Sequence, residues 1–191
     1  MAFTQNNNFG SNSNGEKKKQ NFRVGRIYGS DGQLDVGLYI SDVGIVYGTA
    51  SIKAAIGKNP SNGVTMYESG LNKDNPSVLL NTENIIALLK YFEKADDAFI
   101  SGINFTLDAG RSKISFSGSD TDVKITIENK VGTKSITLSA TPVGNKNVHA
   151  SMYQFIEYLK IIIKKQLKNK LDPEEFSDIS AGEGNDEDSP F

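Results

Sequence analysis

Gln33-Leu34-Asp35-Val36-Gly37-Leu38-Tyr39-Ile40 sorts its side chains by parity. Leu34, Val36, Leu38 and Ile40 fall on one side of an extended chain and Asp35, Gly37 and Tyr39 on the other, the period-two signature of a strand with one buried face. The pattern continues in both directions. Before it, Phe22, Val24, Arg26 and Tyr28 alternate with Arg23, Gly25 and Ile27, and Ser30-Asp31-Gly32 supplies the turn between the two runs. After it come a third run over about 44–52, the turn Asn59-Pro60-Ser61-Asn62-Gly63, and a fourth run over 64–68.

The period then changes. Asn81 or Thr82 can cap a helix, Glu83 suits the positive end of its dipole, and Ile85, Leu88, Leu89 and Phe92 form one apolar stripe. Past Asp96-Asp97 the alternation returns in runs over 99–107, 113–117, 123–128 and 134–140, where Phe99, Phe105 and Phe116 share parity with Ile103 and Ile114 and read as core. A turn over 142–147 leads into the longest helical pattern, with Met152, Phe155, Ile156, Leu159, Ile163 and Leu167 on its stripe. Lys160, Lys164, Lys165, Lys168 and Lys170 crowd its C-terminal half, and Pro173 ends it. The expected fold is α+β: two ββββα units, 21–95 and 96–171, each an antiparallel sheet closed by the helix that follows it. The alternative, an OB barrel, needs about five strands and one intervening helix and fits this element count poorly.

The chain has 191 residues, 37% hydrophobic, enough for one sizeable core but not two large domains. Its formal charge of −2 hides an asymmetry. All 21 Lys and Arg precede Leu171, and 8 of the 23 Asp and Glu fall in residues 171–191, so the body carries +6 and the tail −8. Residues 1–20, rich in Asn, Ser and Gly with Lys17, Lys18 and Lys19, read as a disordered basic arm, and residues 172–191 as a disordered acidic tail. Zero Cys and a single His exclude disulfides, thiolate chemistry and the usual zinc centre. No run of about 20 apolar residues would span a membrane, and no signal-peptide pattern opens the chain, so the expectation is a soluble, cytoplasmic protein.

Catalytic constellations are scarce. His149, just before the second helix, reads as a cap or surface residue; Asp96-Asp97 and Asp120 with Asp122 read as turn residues before cation ligands. The glycines match neither a P-loop nor a Rossmann fingerprint. The sequence indicates no enzyme, cofactor or metal.

The tail ends Asp186-Glu187-Asp188-Ser189-Pro190-Phe191, acids leading to a terminal aromatic residue. These six residues resemble the acidic, Pro-Phe-ended tip of bacterial and phage single-stranded DNA-binding proteins. Ser189 departs from the apolar residue usual there. The resemblance implies that Asp186, Glu187, Asp188, Pro190 and Phe191 dock replication proteins such as a polymerase, helicase or nuclease, and that the body binds single-stranded DNA. A single-strand binder tracks phosphates with cations and stacks bases on aromatic rings. The solvent-facing parity of the first four strands offers Tyr39, Tyr47 and Tyr67 for stacking and Lys53 for phosphates, with Arg23 and Arg26 nearby in sequence as further phosphate contacts. The second half offers Lys113 and Lys124 among Ser and Thr, a surface better suited to phosphate and sugar.

The ββββα order occurring twice is similar to the Whirly and PC4-like single-strand-binding superfamily, and Lys53-Ala54-Ala55-Ile56 resembles part of the lysine-alanine-alanine motif of Whirly proteins. Ser51-Ile52 stands where that motif has Lys-Gly. The resemblance implies a homo-oligomer. The expected function is a non-enzymatic single-stranded DNA-binding protein of replication, recombination or repair, of phage or bacterial type. An RNA-binding module or PC4-like transcription cofactor, and a scaffolding protein with an acidic tail and no nucleic-acid affinity, are the alternatives.

Overall fold

The computed structural model describes residues 20–68 and 75–171. The first sheet is built from β1 (Gln20–Tyr28), β2 (Gly32–Ile40), β3 (Val46–Lys58), β4 (Thr65–Tyr67) and β5 (Ser77–Leu80). It is followed by α1 (Thr82–Tyr91) and α2 (Asp97–Ser101). The second sheet holds β6 (Asn104–Asp108), β7 (Ser112–Gly118), β8 (Asp122–Asn129) and β9 (Gly132–Ser139), a regular meander. The hairpin β10 (Thr141–Val143) and β11 (Lys146–Val148) leads into α3 (Ala150–Leu171). Every strand pair is antiparallel, so the molecule is α+β with antiparallel sheets. No helix among the described residues is long and apolar enough to cross a membrane.

The order departs from two equal ββββα units. A fifth strand, β5, precedes α1 and pairs with β3, because Val78 and Leu80 continue the buried face while Leu79 stays outside. Phe99 begins no strand. Asp96 accepts a hydrogen bond from the Phe99 amide at 2.7 Å and caps the one-turn helix α2, too short for a helical period to appear in sequence. The turn expected over 142–147 forms the small hairpin β10–β11.

The long helix also lies elsewhere than expected. α3 does not simply close the second sheet: it packs on β1, β2 and β3 of the first sheet and on α1, and meets the second sheet at β9. Its buried seam is Met152, Phe155, Ile156, Leu159, Ile162 and Gln166, while Ile163 is half-buried and Leu167 is exposed. At the end of that seam the carbonyl of Leu80 lies within 2.9 Å, and the Gln166 amide donates to it, which is why a polar residue takes a core position.

One hydrophobic cluster runs through both sheets and their helices, from Leu34, Ile52 and Leu80 through Ile85 and Leu88 to Ile125, Ile136 and Phe155. Phe116 is fully buried, and Phe99 and Phe105 pack against the cluster around Tyr91, so the aromatic residues of the second half belong to the core. Polar contacts fasten the sheets at their margin. Asp31, in the β1–β2 turn, accepts from the Thr137 amide at 2.7 Å and its hydroxyl at 2.9 Å. Lys134 reaches Glu68 and, at 2.8 Å, Asn75.

Candidate nucleic-acid interface

β1 contains a bulge between Arg23 and Gly25, where two steps along β1 cover one along β2. The extra residue resets the alternation. Before the bulge Phe22 stands beside Leu38 on the inner side; after it Arg26 stands beside Asp35 and Ile27 beside Leu34. Arg23, Arg26 and Tyr28 therefore share the outer face, and Phe22, Val24 and Ile27 face inward. The strict parity expected for this strand, with Phe22 and Val24 beside Arg26, is corrected by that single residue. Gly25 lets the ring of Tyr158 on α3 pack against the bulge, in the space a Cβ would need.

With β1 reset, the outer face of the first sheet can be followed across strands. Arg26 neighbours Asp35, which neighbours Ser51; Tyr28 neighbours Gln33, which neighbours Lys53; Tyr39 stands directly opposite Tyr47. Three cations converge on one carboxylate. Arg26 Nε donates to Asp35 Oδ1 at 2.8 Å, Lys53 Nζ lies 3.3 Å from Oδ2, and Arg23 Nε lies 3.9 Å from Oδ1. Gln33 Nε2 donates to Oδ1 at 3.3 Å. Burial alone would raise the Asp35 carboxyl, but the hydrogen bond and charge of Arg26, with the charges of Lys53 and Arg23, hold it below the ordinary aspartate range. The cluster retains two positive charges in excess.

An aromatic pair stands at each end of this cluster. Tyr39 and Tyr47 lie with ring centroids 6.2 Å apart. Tyr28 and Tyr67 lie 5.7 Å apart although β2 and β3 separate their strands. In a flat sheet those strands would stand about 14 Å apart. The sheet curls into a half-barrel, and the two rings lean toward each other across it. Tyr28 is also the most exposed of the four. Between the pairs, about six residues or roughly 20 Å along β2, lie the cations.

Lys113 and Lys124 are on a different surface, the outer face of the second sheet. Lys113 is flanked in register by two acids, Asp108 and Glu128, which outweigh its charge; Lys124 is flanked by Ser117 and Thr137. Between these rows runs a ladder of hydroxyls, Thr106, Ser115, Thr126 and Ser135, bonded in pairs at 2.9 and 2.8 Å. Among the described residues no aromatic ring joins this face. Of the eight expected contacts, the structure therefore gathers Arg23, Arg26, Lys53, Tyr39, Tyr47 and Tyr67 on one face and leaves Lys113 and Lys124 on another. No protein-family model, curated protein or solved structure matches this chain.

Two members of the cluster were not among the expected residues. Tyr28 is recovered by allowing the bulge, and Asp35 by counting pairs outward from the Ser30-Asp31-Gly32 turn, which sets it beside Arg26. Asp186, Glu187, Asp188, Pro190 and Phe191 lie outside the described residues, as do the expected arm up to residue 19 and the tail.

His149 is not at the surface: it is buried, its amide donates to Asp97 at 3.0 Å, its carbonyl accepts from Met152 and Tyr153 at the start of α3, and its Nε2 meets Ser101 Oγ at 3.2 Å. The Ser101 hydroxyl already donates to the Asp97 carbonyl at 2.8 Å, so His149 Nε2 carries the hydrogen between them. The histidine joins α2 to α3. Asp120 lies in the β7–β8 turn and Asp122 opens β8, accepting from Thr121 and Ser139, both at 2.7 Å. Among the described residues no group of three or more His, Asp or Glu is placed to hold a metal ion.

Proposed function

We propose that the outer face of the first sheet binds single-stranded nucleic acid, DNA above all, and that the protein serves replication, recombination or repair without being an enzyme. The observation that carries this is two tyrosine pairs on one sheet face, Tyr39 with Tyr47 and Tyr28 with Tyr67, with Arg23, Arg26 and Lys53 between them. Unpaired bases expose ring faces that a duplex hides, and each base stacked on an aromatic side chain contributes about 1–3 kcal/mol without regard to sequence. Cations spaced between stacking rings meet the phosphates that join those bases.

Two four-stranded meanders, β1 to β4 and β6 to β9, support a Whirly-like reading over an OB barrel, and so does a helix after each sheet. The extra β5, the short α2 and the packing of α3 on the first sheet are this chain's departures from that element order. The acidic segment Asp186 to Phe191 belongs to the same proposal as a dock for replication proteins.

Fluorescence anisotropy of labelled oligo-dT, an equal-length duplex and the matching RNA, titrated with salt, tests the reading. Expected is tighter binding to oligo-dT than to duplex, weakening log-linearly with salt. Equal affinity for the duplex, or no dependence on salt, would overturn it. Removal of residues 183–191 is expected to abolish binding to a replication protein while leaving oligo-dT bound.

A further inference from the structure

We propose that Asp35 is an internal counter-ion standing where a backbone phosphate binds, and that displacing it sets the affinity of this face for nucleic acid. The inference rests on the single-strand reading above and assigns a residue that governs it. A single cation would satisfy one carboxylate, yet Arg23, Arg26 and Lys53 all approach Asp35 within 4.0 Å. Carboxylate and phosphate both present paired anionic oxygens to a guanidinium, so a site shaped around one suits the other.

The three partners are committed to Asp35 in different degrees. Lys53, with its side chain 15% exposed, and Arg26, at 28%, are held close; Arg23, at 57%, makes only the 3.9 Å approach. Arg26 spends its Nε on the carboxylate, and among the described residues its Nη1 meets the Tyr28 hydroxyl at 3.5 Å, which leaves further guanidinium donors for an incoming anion. A phosphate arriving at the exposed side of Asp35 meets Arg23 and Arg26, and it is repelled by the carboxylate. The carboxylate thereby holds three like charges together in the free protein and opposes the ligand in the complex. It weakens binding to every polyanion, which leaves stacking, available only from unpaired bases, to decide what stays bound.

Asp35→Asn removes the counter-ion while keeping the size and a hydrogen-bonding group. Expected are a lower melting temperature, from three uncompensated cations, and oligo-dT binding about tenfold tighter, with a salt slope steeper by about 0.7, one single-strand charge. Sulfate, as an inorganic dianion, is expected to raise the melting temperature of the variant more than that of the unaltered protein. If the variant folds and binds oligo-dT no more tightly than the unaltered protein, while sulfate stabilises both equally, Asp35 is not a counter-ion and the single-strand reading survives. If neither protein binds oligo-dT but sulfate stabilises only the variant, the counter-ion role stands and the single-strand reading fails. Should the single variant not fold, Asp35→Asn with Lys53→Met keeps two excess charges and relieves the crowding. Tighter binding by it than by Lys53→Met alone, with a steeper salt slope, supports the proposal, and equal or weaker binding overturns it.

Discussion

Asp35 is ionised against its own burial, and the direction of that shift fixes the sign of its pH dependence. A carboxyl whose folded pKa lies below its unfolded value, about 3.9, contributes stability that is complete above that value and is lost as pH falls through the folded pKa. Glu68 adds the same sign: the Lys134 hydrogen bond is the largest cause, burial opposes it, and the result lies below the ordinary glutamate range. Urea midpoints of the unaltered protein and Asp35→Asn are therefore expected to differ at pH 7 and to converge as the pH falls below about 4. A gap that stays constant from pH 7 to pH 3 would mean that the Asp35 charge contributes nothing to folding. At this scale the sequence showed the cations and three of the four tyrosines, but neither Tyr28 nor the carboxylate among them. Asp35 shares a parity with Tyr39, which was legible; that three cations would meet it depended on the register of three strands, which no single segment encodes.

Elements were legible in proportion to the length and regularity of their patterns. The meander β7 to β9 follows its alternation almost residue for residue, because one face is buried and a one-residue slip would invert it, whereas β2 keeps its parity in register although Gln33 and Gly37 on its other face are buried too. β1 defeats parity through one bulge, and β3 runs on to Lys58 through Ala54, Ala55 and Gly57, where no alternation marks a strand. α2 is one turn long and carries no period. α1 was legible at both ends of its stripe, and its start is a reciprocal cap: Asn81 accepts from the Asn84 amide at 2.8 Å while the Asn84 side chain accepts from the Asn81 amide at 3.2 Å. Asn81→Ala is expected to cost about 1 kcal/mol in chemical denaturation, and Asn81→Asp to cost little, because its side chain accepts the same bond. An alanine variant as stable as the unaltered protein would remove the cap from the account.

At the scale of the whole molecule, the two halves share one core. Asp31 with Thr137, Lys134 with Glu68 and Asn75, and the Asn129 amide on the Ser77 carbonyl at 2.9 Å all tie the first sheet to the second. α3 draws its apolar partners from both. Thermal unfolding followed by far-ultraviolet circular dichroism and by tyrosine fluorescence is expected to give one coincident transition. Two separated transitions would show that 21–95 and 96–171 fold independently. The sequence disclosed two successive sheets and their helices; that α3 would cross to the first sheet depends on how the halves pack, and its stripe fits either surface.

The polar faces of the two sheets separate the functional claim cleanly, since the first carries the tyrosines and the cluster and the second carries hydroxyls and balanced charge. The most direct test is the anisotropy of labelled oligo-dT at one fixed salt concentration with the unaltered protein, Tyr47→Ala and Tyr67→Ala, one residue from each aromatic pair. Loss of a stacked base contributing about 1–3 kcal/mol corresponds to roughly 5- to 150-fold weaker binding. Each variant is expected to lose binding within that range; two folded variants that bind oligo-dT as tightly as the unaltered protein would overturn the assignment of this face to single strands.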